Sequence, residues 1–223
     1  EEFINHIEDY SFTEIAFKRA HALLGNEVEE NALKKSIEEA INFPAPGVQI
    51  EKDIFVLELF HGPSLAFKDF GARFMSRLMA YFLQRQSKEI HILVATSGDT
   101  GGAVALGFYD VPGIRVTILY PSGKVSPIQE KQLTTLGKNI TALEVEGTFD
   151  DCQKLVKQAF LDKELNEKLN LSSANSINIA RLIPQTFYYF NAVAQLKKAG
   201  RHEPVYFSVP SGNFGNLTAG LIA

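Results

Sequence analysis

From residue 47 onward, short apolar runs alternate with amphipathic stretches, and glycine-bearing loops separate them. This order is typical of successive βαβ units that build a parallel sheet. The pattern therefore predicts an α/β fold. The predicted strands are Ile54–Leu59, Ile90–Ala95, Ile114–Tyr120, Ile140–Val145 and Val205–Val209. The predicted helices are Lys68–Gln86, Gly101–Tyr109, Ser126–Leu136, Phe149–Leu161 and Ile177–Ala199. For the third of these helices, Ser126, Pro127 and Gln129 predict an N-cap, a proline at the first helical position and a capping box.

The residues before this series have helical spacing throughout. Ser11 and Glu14 stand three apart, as a capping box requires, and Gly25 is placed to end the helix that they begin. A second helix, Val28–Asn42, ends before the helix-breaking segment 44–47. The sequence predicts a small helical N-terminal region.

The charge balance excludes whole classes of partner. Among 223 residues, 22 Lys and Arg face 26 Asp and Glu, which leaves a net charge of −4. Such a chain has no general basic surface for nucleic acid or for an anionic membrane. It also has no apolar run of the roughly 18 residues that span a bilayer, and no leader pattern.

Cysteine and histidine usage points to an intracellular, metal-free protein. Cys152 is the single cysteine, so no internal disulfide can form, and the five histidines lie in no pattern typical of a metal site. We expect a cytoplasmic protein without a metal. Because Glu1 replaces an initiator Met and residues 220–223 continue an apolar pattern, we also expect a C-terminally truncated fragment.

Several loops follow a predicted strand and open a helix, which is where ligands bind to open α/β sheets. They are the segments 61–69, 96–102, 121–124 and 210–218. The loop from Ser211 to Thr218 can aim backbone N–H groups at a phosphate beside the positive end of a helix. A glycine-rich turn that only connects a strand to a helix is the alternative. Neither a P-loop nor a Gly-x-Gly-x-x-Gly motif is present, which disfavours ATP and NAD.

Lys68 is the candidate nucleophile. It lies between Phe67 and Asp69 at the start of a helix with a strongly apolar face. Apolar surroundings and a helix N-terminus favour the neutral amine, which can attack a carbonyl to form a Schiff base. The alternative is an ordinary solvated lysine, with Asp69 serving only as a first-turn acid.

Two further segments can bind anions. Hydroxyl groups and backbone donors between Thr96 and Thr100 can receive a carboxylate or a phosphate, although ordinary helix capping explains the same residue types. Asn178 and Arg181 lie one turn apart, where an amide and a guanidinium share a helix face, and here too a capped helix start is the alternative.

Taken as a set, these segments resemble the threonine synthase family. The motifs are HGPSLAFKDFG at 61–71, ATSGDTG at 95–101, YPSGKVSP at 120–127, SANSINIAR at 173–181 and VPSGNFGNLTAG at 209–220, and they occur in the order of that family. They cover the chain from about Glu58 to its end. Family members are much longer than this chain.

The resemblance implies a pyridoxal-phosphate enzyme of the tryptophan-synthase-β type. It would convert O-phospho-L-homoserine and water to L-threonine and phosphate, the last step of threonine biosynthesis. Lys68 would hold the cofactor and act as the mobile acid and base, while the cofactor serves as the electron sink. The implied cofactor ligands are Lys68, Asp99 near the phenolic oxygen, and the loop Ser211, Gly212, Asn213, Phe214, Gly215 and Asn216.

The resemblance also implies two substrate subsites. Thr96, Ser97, Gly98, Asp99 and Thr100 would receive the substrate carboxylate. The substrate phosphate needs positive charge and amide or hydroxyl donors. The candidates for that second anion site are Lys124, Asn175, Ser176, Asn178 and Arg181.

The implied architecture has two open, mostly parallel, three-layer α/β domains with the cofactor between them. The expected boundaries are residues 1–46 for the helical region, 47–88 with 172–223 for an incomplete large domain, and 89–171 for a small domain. Two alternatives stay open. One is another pyridoxal-phosphate lyase, of the serine or threonine dehydratase or cysteine synthase type, and the other is a non-catalytic relative that binds phosphate esters.

Overall fold

The computed structural model describes residues 2–86, 89–175 and 178–223. The helices are α1 Glu2–Asn5, α2 Phe12–Leu24, α3 Glu30–Ala40, α4 Lys68–Gln86, α5 Asp99–Phe108, α6 Pro127–Thr134, α7 Phe149–Leu161, α8 Lys163–Leu169, α9 Ile179–Lys198 and α10 Gly215–Ile222. The strands are β1 Gly47–Glu51, β2 Ile54–Leu57, β3 Ile90–Ala95, β4 Ile114–Pro121, β5 Ile140–Val145 and β6 Leu171–Ser172.

Helix ends follow local sequence signals. At the start of α2, the Ser11 side chain accepts from the Glu14 backbone N–H, and the Glu14 carboxylate accepts in return from the Ser11 N–H. Gly25 ends that helix with φ +56°, a conformation that suits glycine. Ser126 and Gln129 form a second capping box at α6. Both predicted caps are confirmed because each is a contact between residues three apart.

The central sheet is parallel, with strand order β5-β4-β3-β6. Alternate side chains of β3 and β4 enter different cores. Ile92 and Val94 pack with α5 residues such as Phe108, whereas Leu93 packs with Cys152 of α7. Both faces of the sheet are thus covered by helices, as near-continuous apolar strands require.

A second core lies between the N-terminal helices and the two long helices of the chain, α4 and α9. α2 and α3 pack with α4 and α9, and Phe70 and Tyr188 are buried where they meet. The two aromatic rings lie 5.2 Å apart, edge to face. This core fixes the beginning of α4, and Lys68 is the first residue of that helix.

Two strand predictions need correction. β2 stops at Leu57, short of the predicted Leu59, and pairs with β1 in an antiparallel hairpin that the sequence analysis did not predict. The predicted strand Val205–Val209 is irregular, since none of the described strands pairs with it. An apolar run becomes a strand only when a neighbour satisfies its backbone groups. Helix α6 also ends two residues before the predicted Leu136.

The α/β class with a parallel sheet and flanking helices is confirmed. The division into residues 1–46, 47–88 with 172–223, and 89–171 stays a prediction. Among the described residues, no helix is both long and apolar enough to cross a membrane. Within the same ranges, no group of three or more His, Cys, Asp or Glu side chains is placed to hold a metal ion.

Candidate active site

Three helix N-termini carry the candidate site. β3 and β4 are parallel neighbours, so the loops that follow Ala95 and Pro121 leave the same edge of the sheet. These loops lead into α5 and α6. Lys68, at the start of α4, lies beside the first of these loops, and its Nζ is 3.7 Å from the Oδ2 of Asp99 at the start of α5. The structure therefore brings together two of the predicted site residues from segments 31 positions apart.

Lys68 combines partial burial with access. Its side chain is 21% exposed, and its ammonium lies 4.6 Å from the centre of the Phe67 ring. Burial lowers the pKa of the Lys68 amine below its ordinary 10.5, and the Arg181 guanidinium lowers it further, while Asp99 opposes both effects. The result is an amine that loses its proton more readily than a surface lysine, as a nucleophile must.

The loop from Thr96 to Thr100 is held by a single buried hydroxyl. The Thr96 Oγ1 accepts hydrogen bonds from the N–H groups of Gly98 at 3.0 Å and Gly101 at 2.8 Å, and lies 3.1 Å from the Gly98 carbonyl. Thr96 thus shapes the loop from inside. Ser97 and Asp99 are exposed and Thr100 is half-buried, so these residues can face a ligand.

Gln129 is a site residue that the sequence analysis identified only as a helix cap. Its Nε2 donates to Asp99 Oδ1 at 2.6 Å, so α6 is tied to the start of α5. The capping motif locates Gln129 on α6, but no local pattern connects it to a residue 30 positions earlier.

The predicted phosphate loop precedes α10. Gly212, Asn213 and Phe214 are exposed, and an added Cβ at Gly212 would meet no atom within 4 Å. The Asn213 Oδ1 accepts from the Gly215 N–H at 3.1 Å, which folds the loop back toward the helix start. Ser211 is half-buried at the base of the loop.

Two tyrosines of α9 anchor this loop, and they too were missed from sequence. The Asn216 Oδ1 accepts from the hydroxyls of Tyr188 at 2.6 Å and Tyr189 at 2.8 Å. Since Tyr188 also packs on Phe70, two residues after Lys68, the anchor connects the phosphate loop to the Lys68 helix. Burial raises the pKa of the Tyr188 hydroxyl, so it stays a donor.

Arg181 lies deeper than a surface anion site would require. It is 1% exposed, its Nη1 donates to the Ala174 carbonyl at 2.6 Å, and burial lowers its pKa to about 10. Its Nε is buried without a partner among the described residues. Asp69, also buried, interacts with it electrostatically.

The other candidates for the substrate phosphate are spread over several elements. Lys124 is exposed in the turn after β4, and Asn175 is half-buried. Asn178 caps α9, with its Oδ1 accepting from the Ala180 N–H. Ser176 lies outside the described residues. Among the described residues, no hydrogen bond or ion pair joins Lys124 to Arg181, so their meeting at one phosphate stays a prediction.

The model for the family described as "Pyridoxal-phosphate dependent enzyme" matches residues 39–223. The chain belongs to that family. The match includes Lys68, the 96–100 loop and the 211–216 loop.

Comparisons with individual proteins point to the same family. The chain is 54% identical to the threonine synthase of Serratia marcescens over 220 residues, which are 99% of this chain and 51% of that protein. It is similar to the crystal structure of threonine synthase from Escherichia coli, with a TM-score of 0.89, 52% identity, and 98% of this chain against 50% of that one. A pyridoxal-phosphate-bound threonine synthase from Brucella melitensis matches with a TM-score of 0.91, 42% identity, and 99% of this chain against 48% of that one. The chain spans about half the length of the curated relatives it matches.

The residues present fit the cofactor of this family. An aldehyde needs a partly buried amine of lowered pKa, which Lys68 supplies. A phosphate needs close backbone approach at a helix start, and the open surroundings of Gly212 just before α10 leave room for it.

Proposed function

We propose that this chain binds pyridoxal phosphate, with Lys68 as its covalent attachment point and residues 211–216 around its phosphate. The observation that carries the proposal is the half-buried Lys68 amine beside Asp99 within a chain that matches the family over residues 39–223. Asp99 would hold the phenolic end of the cofactor. The tyrosine anchor at Asn216 supports the phosphate end.

The reaction that the sequence identity to these relatives supports best is that of threonine synthase. O-phospho-L-homoserine and water would give L-threonine and phosphate, in the last step of threonine biosynthesis. This is a lyase reaction on a phosphate ester, and a small-molecule substrate is implied by the family. When bound, the cofactor withdraws electrons from the substrate carbon that loses a proton.

The chain's own residues then have separate tasks. The Lys68 Nζ accepts and returns protons at the substrate carbons, which its lowered pKa favours. Ser97, Gly98 and Thr100 bind the substrate carboxylate, on a loop that Thr96 shapes from inside. Lys124, Asn175, Ser176, Asn178 and Arg181 serve the substrate phosphate, with Arg181 contributing charge from a buried position.

A visible spectrum with added cofactor tests the first part. The chain should acquire an absorption band that borohydride reduction removes, and mass spectrometry should find the reduced adduct on Lys68. The Lys68→Ala variant should lose both signals, whereas Lys131→Ala, an exposed lysine of α6, should keep them. An adduct that forms specifically on another lysine would contradict the assignment.

Phosphate release tests the second part. Since the relatives are about twice as long, the chain should be assayed beside one of them with O-phospho-L-homoserine. We expect cofactor capture by the chain and much slower phosphate release than by the relative. Release from O-phosphoserine but not from O-phospho-L-homoserine would favour another lyase of the family.

We expect the protein to be cytoplasmic, and fractionation of cells should recover it in the cytoplasm.

A further inference from the structure

One side chain from a third helix reaches the carboxylate next to Lys68. Gln129 belongs to α6, whereas Lys68 begins α4 and Asp99 begins α5. The Gln129 carboxamide crosses from its own helix to the Asp99 carboxylate. It is therefore the point where the starts of α5 and α6 are joined.

The hydrogen bonds fix which way the carboxamide faces. Its Oε1 accepts from the Ser126 N–H at 3.2 Å and from the Ser126 hydroxyl at 3.0 Å. The Nε2 is thereby turned toward Asp99 and donates to Oδ1 at 2.6 Å. With Oδ1 held, the other carboxylate oxygen, Oδ2, is the one that lies 3.7 Å from the Lys68 ammonium. The helix cap and the lysine contact are thus linked through one amide.

Gly98 makes room for this crossing. Its φ is +144°, which side chains rarely adopt, and a Cβ there would lie 2.6 Å from the Gln129 Nε2 and 2.7 Å from the Oε1. Any other residue would push the carboxamide away from Asp99. The glycine of the 96–100 loop therefore serves the Gln129 contact as well as the turn.

We propose that Gln129 is a positioning residue, which holds the Asp99 carboxylate in the rotation that pairs it with Lys68. The role deepens the proposed function, because it matters to the chemistry only if Lys68 is the cofactor attachment point. Gln129 itself need touch neither cofactor nor substrate.

The consequence for Lys68 has a definite sign. Two charged groups act on its amine, Asp99 from α5 and Arg181 from α9. Asp99 raises the pKa, and burial and Arg181 lower it. If Asp99 turns away into solvent, only the lowering effects stay, so the pKa of Lys68 must fall. A merely structural role for Gln129 would not move that pKa.

The test measures Lys68 in the chain without cofactor. Trinitrobenzenesulfonate reacts with neutral amines, and peptide mass spectrometry follows the modification of Lys68 alone as a function of pH. In Gln129→Met, the midpoint should fall by about half to one pH unit, below the full effect of an adjacent buried charge because Asp99 is half-exposed. Asp99→Asn should shift it in the same direction. In the double variant, Gln129→Met should add nothing to Asp99→Asn.

Two controls and one fallback variant complete the test. Ser126→Ala removes the hydroxyl bond to Gln129 Oε1 but keeps the Ser126 N–H bond and the Gln129 to Asp99 hydrogen bond, so its midpoint should move less than that of Gln129→Met. Gln153→Met makes the same chemical change on an exposed part of α7 and should also have no effect. If Gln129→Met does not fold, as judged by circular dichroism, Gln129→Asn keeps an amide that is too short to reach Asp99, and the same shift is expected.

Four results would overturn the proposal: no shift in a folded Gln129 variant, an upward shift, an equal shift in Ser126→Ala, or an additive shift in the double variant. An upward shift would mean that Gln129 draws Asp99 away from Lys68. Since no cofactor is present, the measurement does not depend on whether the chain captures pyridoxal phosphate. A chain that fails to capture it but shows the shift would refute the proposed function and leave the positioning contact intact.

Discussion

Asn216 gives the sharpest prediction because it both anchors α10 and lies in the proposed phosphate loop. Its Oδ1 accepts from Tyr188, which is 1% exposed, and from Tyr189. In Asn216→Ala, the Tyr188 hydroxyl becomes a buried donor without a partner, at a cost of about 1 to 3 kcal/mol. The Tyr189 hydroxyl keeps its hydrogen bond to the backbone carbonyl of residue 216, at 3.0 Å, so Tyr189 adds little to the loss of stability. Alanine recovers about 0.5 kcal/mol through its helix propensity.

The expected net loss is therefore about 0.5 to 2.5 kcal/mol in the free energy of unfolding. Urea denaturation followed by circular dichroism measures it. Tyr188→Phe removes the buried donor together with the bond and leaves Asn216 bonded to Tyr189, so it should cost less, about 1 kcal/mol or below. If Tyr188→Phe destabilises more than Asn216→Ala, the accounting of the buried donor is wrong.

Asn216→Asp separates anchoring from phosphate binding. The aspartate keeps an oxygen acceptor for both tyrosines and places a negative charge in the first turn of α10, which the helix dipole tolerates. Stability should stay within about 1 kcal/mol of the parent chain. Titration with pyridoxal phosphate should nevertheless show weaker binding, because the carboxylate repels the phosphate. Unchanged cofactor binding would remove Asn216 from the phosphate site.

Three further predictions follow from the same geometry. Gly212→Ala should change stability by no more than about 0.5 kcal/mol, since an added Cβ meets nothing, yet weaken cofactor binding in the same titration if the loop approaches the phosphate closely. Lys124→Ala should also leave the stability in urea denaturation nearly unchanged, whereas Arg181→Ala should cost about 2 kcal/mol or more, because it empties a buried site and removes the bond to Ala174. In a full-length relative with matching residues, each change should slow phosphate release at least about tenfold. Unchanged kinetics in either variant would remove that residue from the substrate site. The initial rate of cofactor capture by Lys68, followed by absorbance, should rise with pH over a window that lies below 10.5, because the lowered pKa yields the neutral amine earlier; a rate that rises only near 10.5 would show an unperturbed lysine.

Elements governed by neighbours in the chain were predictable from sequence. Helices α4 and α7 and strands β3 and β5 have the bounds that the sequence predicted. The Ser11 and Ser126 capping boxes formed as predicted, because both partners of a cap lie within one helical turn. Two of the site loops, 96–102 and 121–124, also follow, since the parallel strands β3 and β4 send their carboxyl ends to one edge.

The tertiary structure decided the features that depend on distant partners. Val205–Val209 has the composition of a strand but no described neighbour to pair with, and β1 forms because β2 returns beside it.

The same distinction applies inside the site. Lys68, Asp99 and the 211–216 loop were proposed as site residues from the sequence, but the depth of Arg181 and the tyrosines behind Asn216 were not predicted. The amide of Gln129 is the clearest case, because its sequence motif specifies the contact with Ser126 three residues away and leaves the contact with Asp99 to the packing of α5 against α6. Local hydrogen bonds are fixed by spacing along the chain, whereas burial and contacts across 30 residues arise only when helices and strands pack.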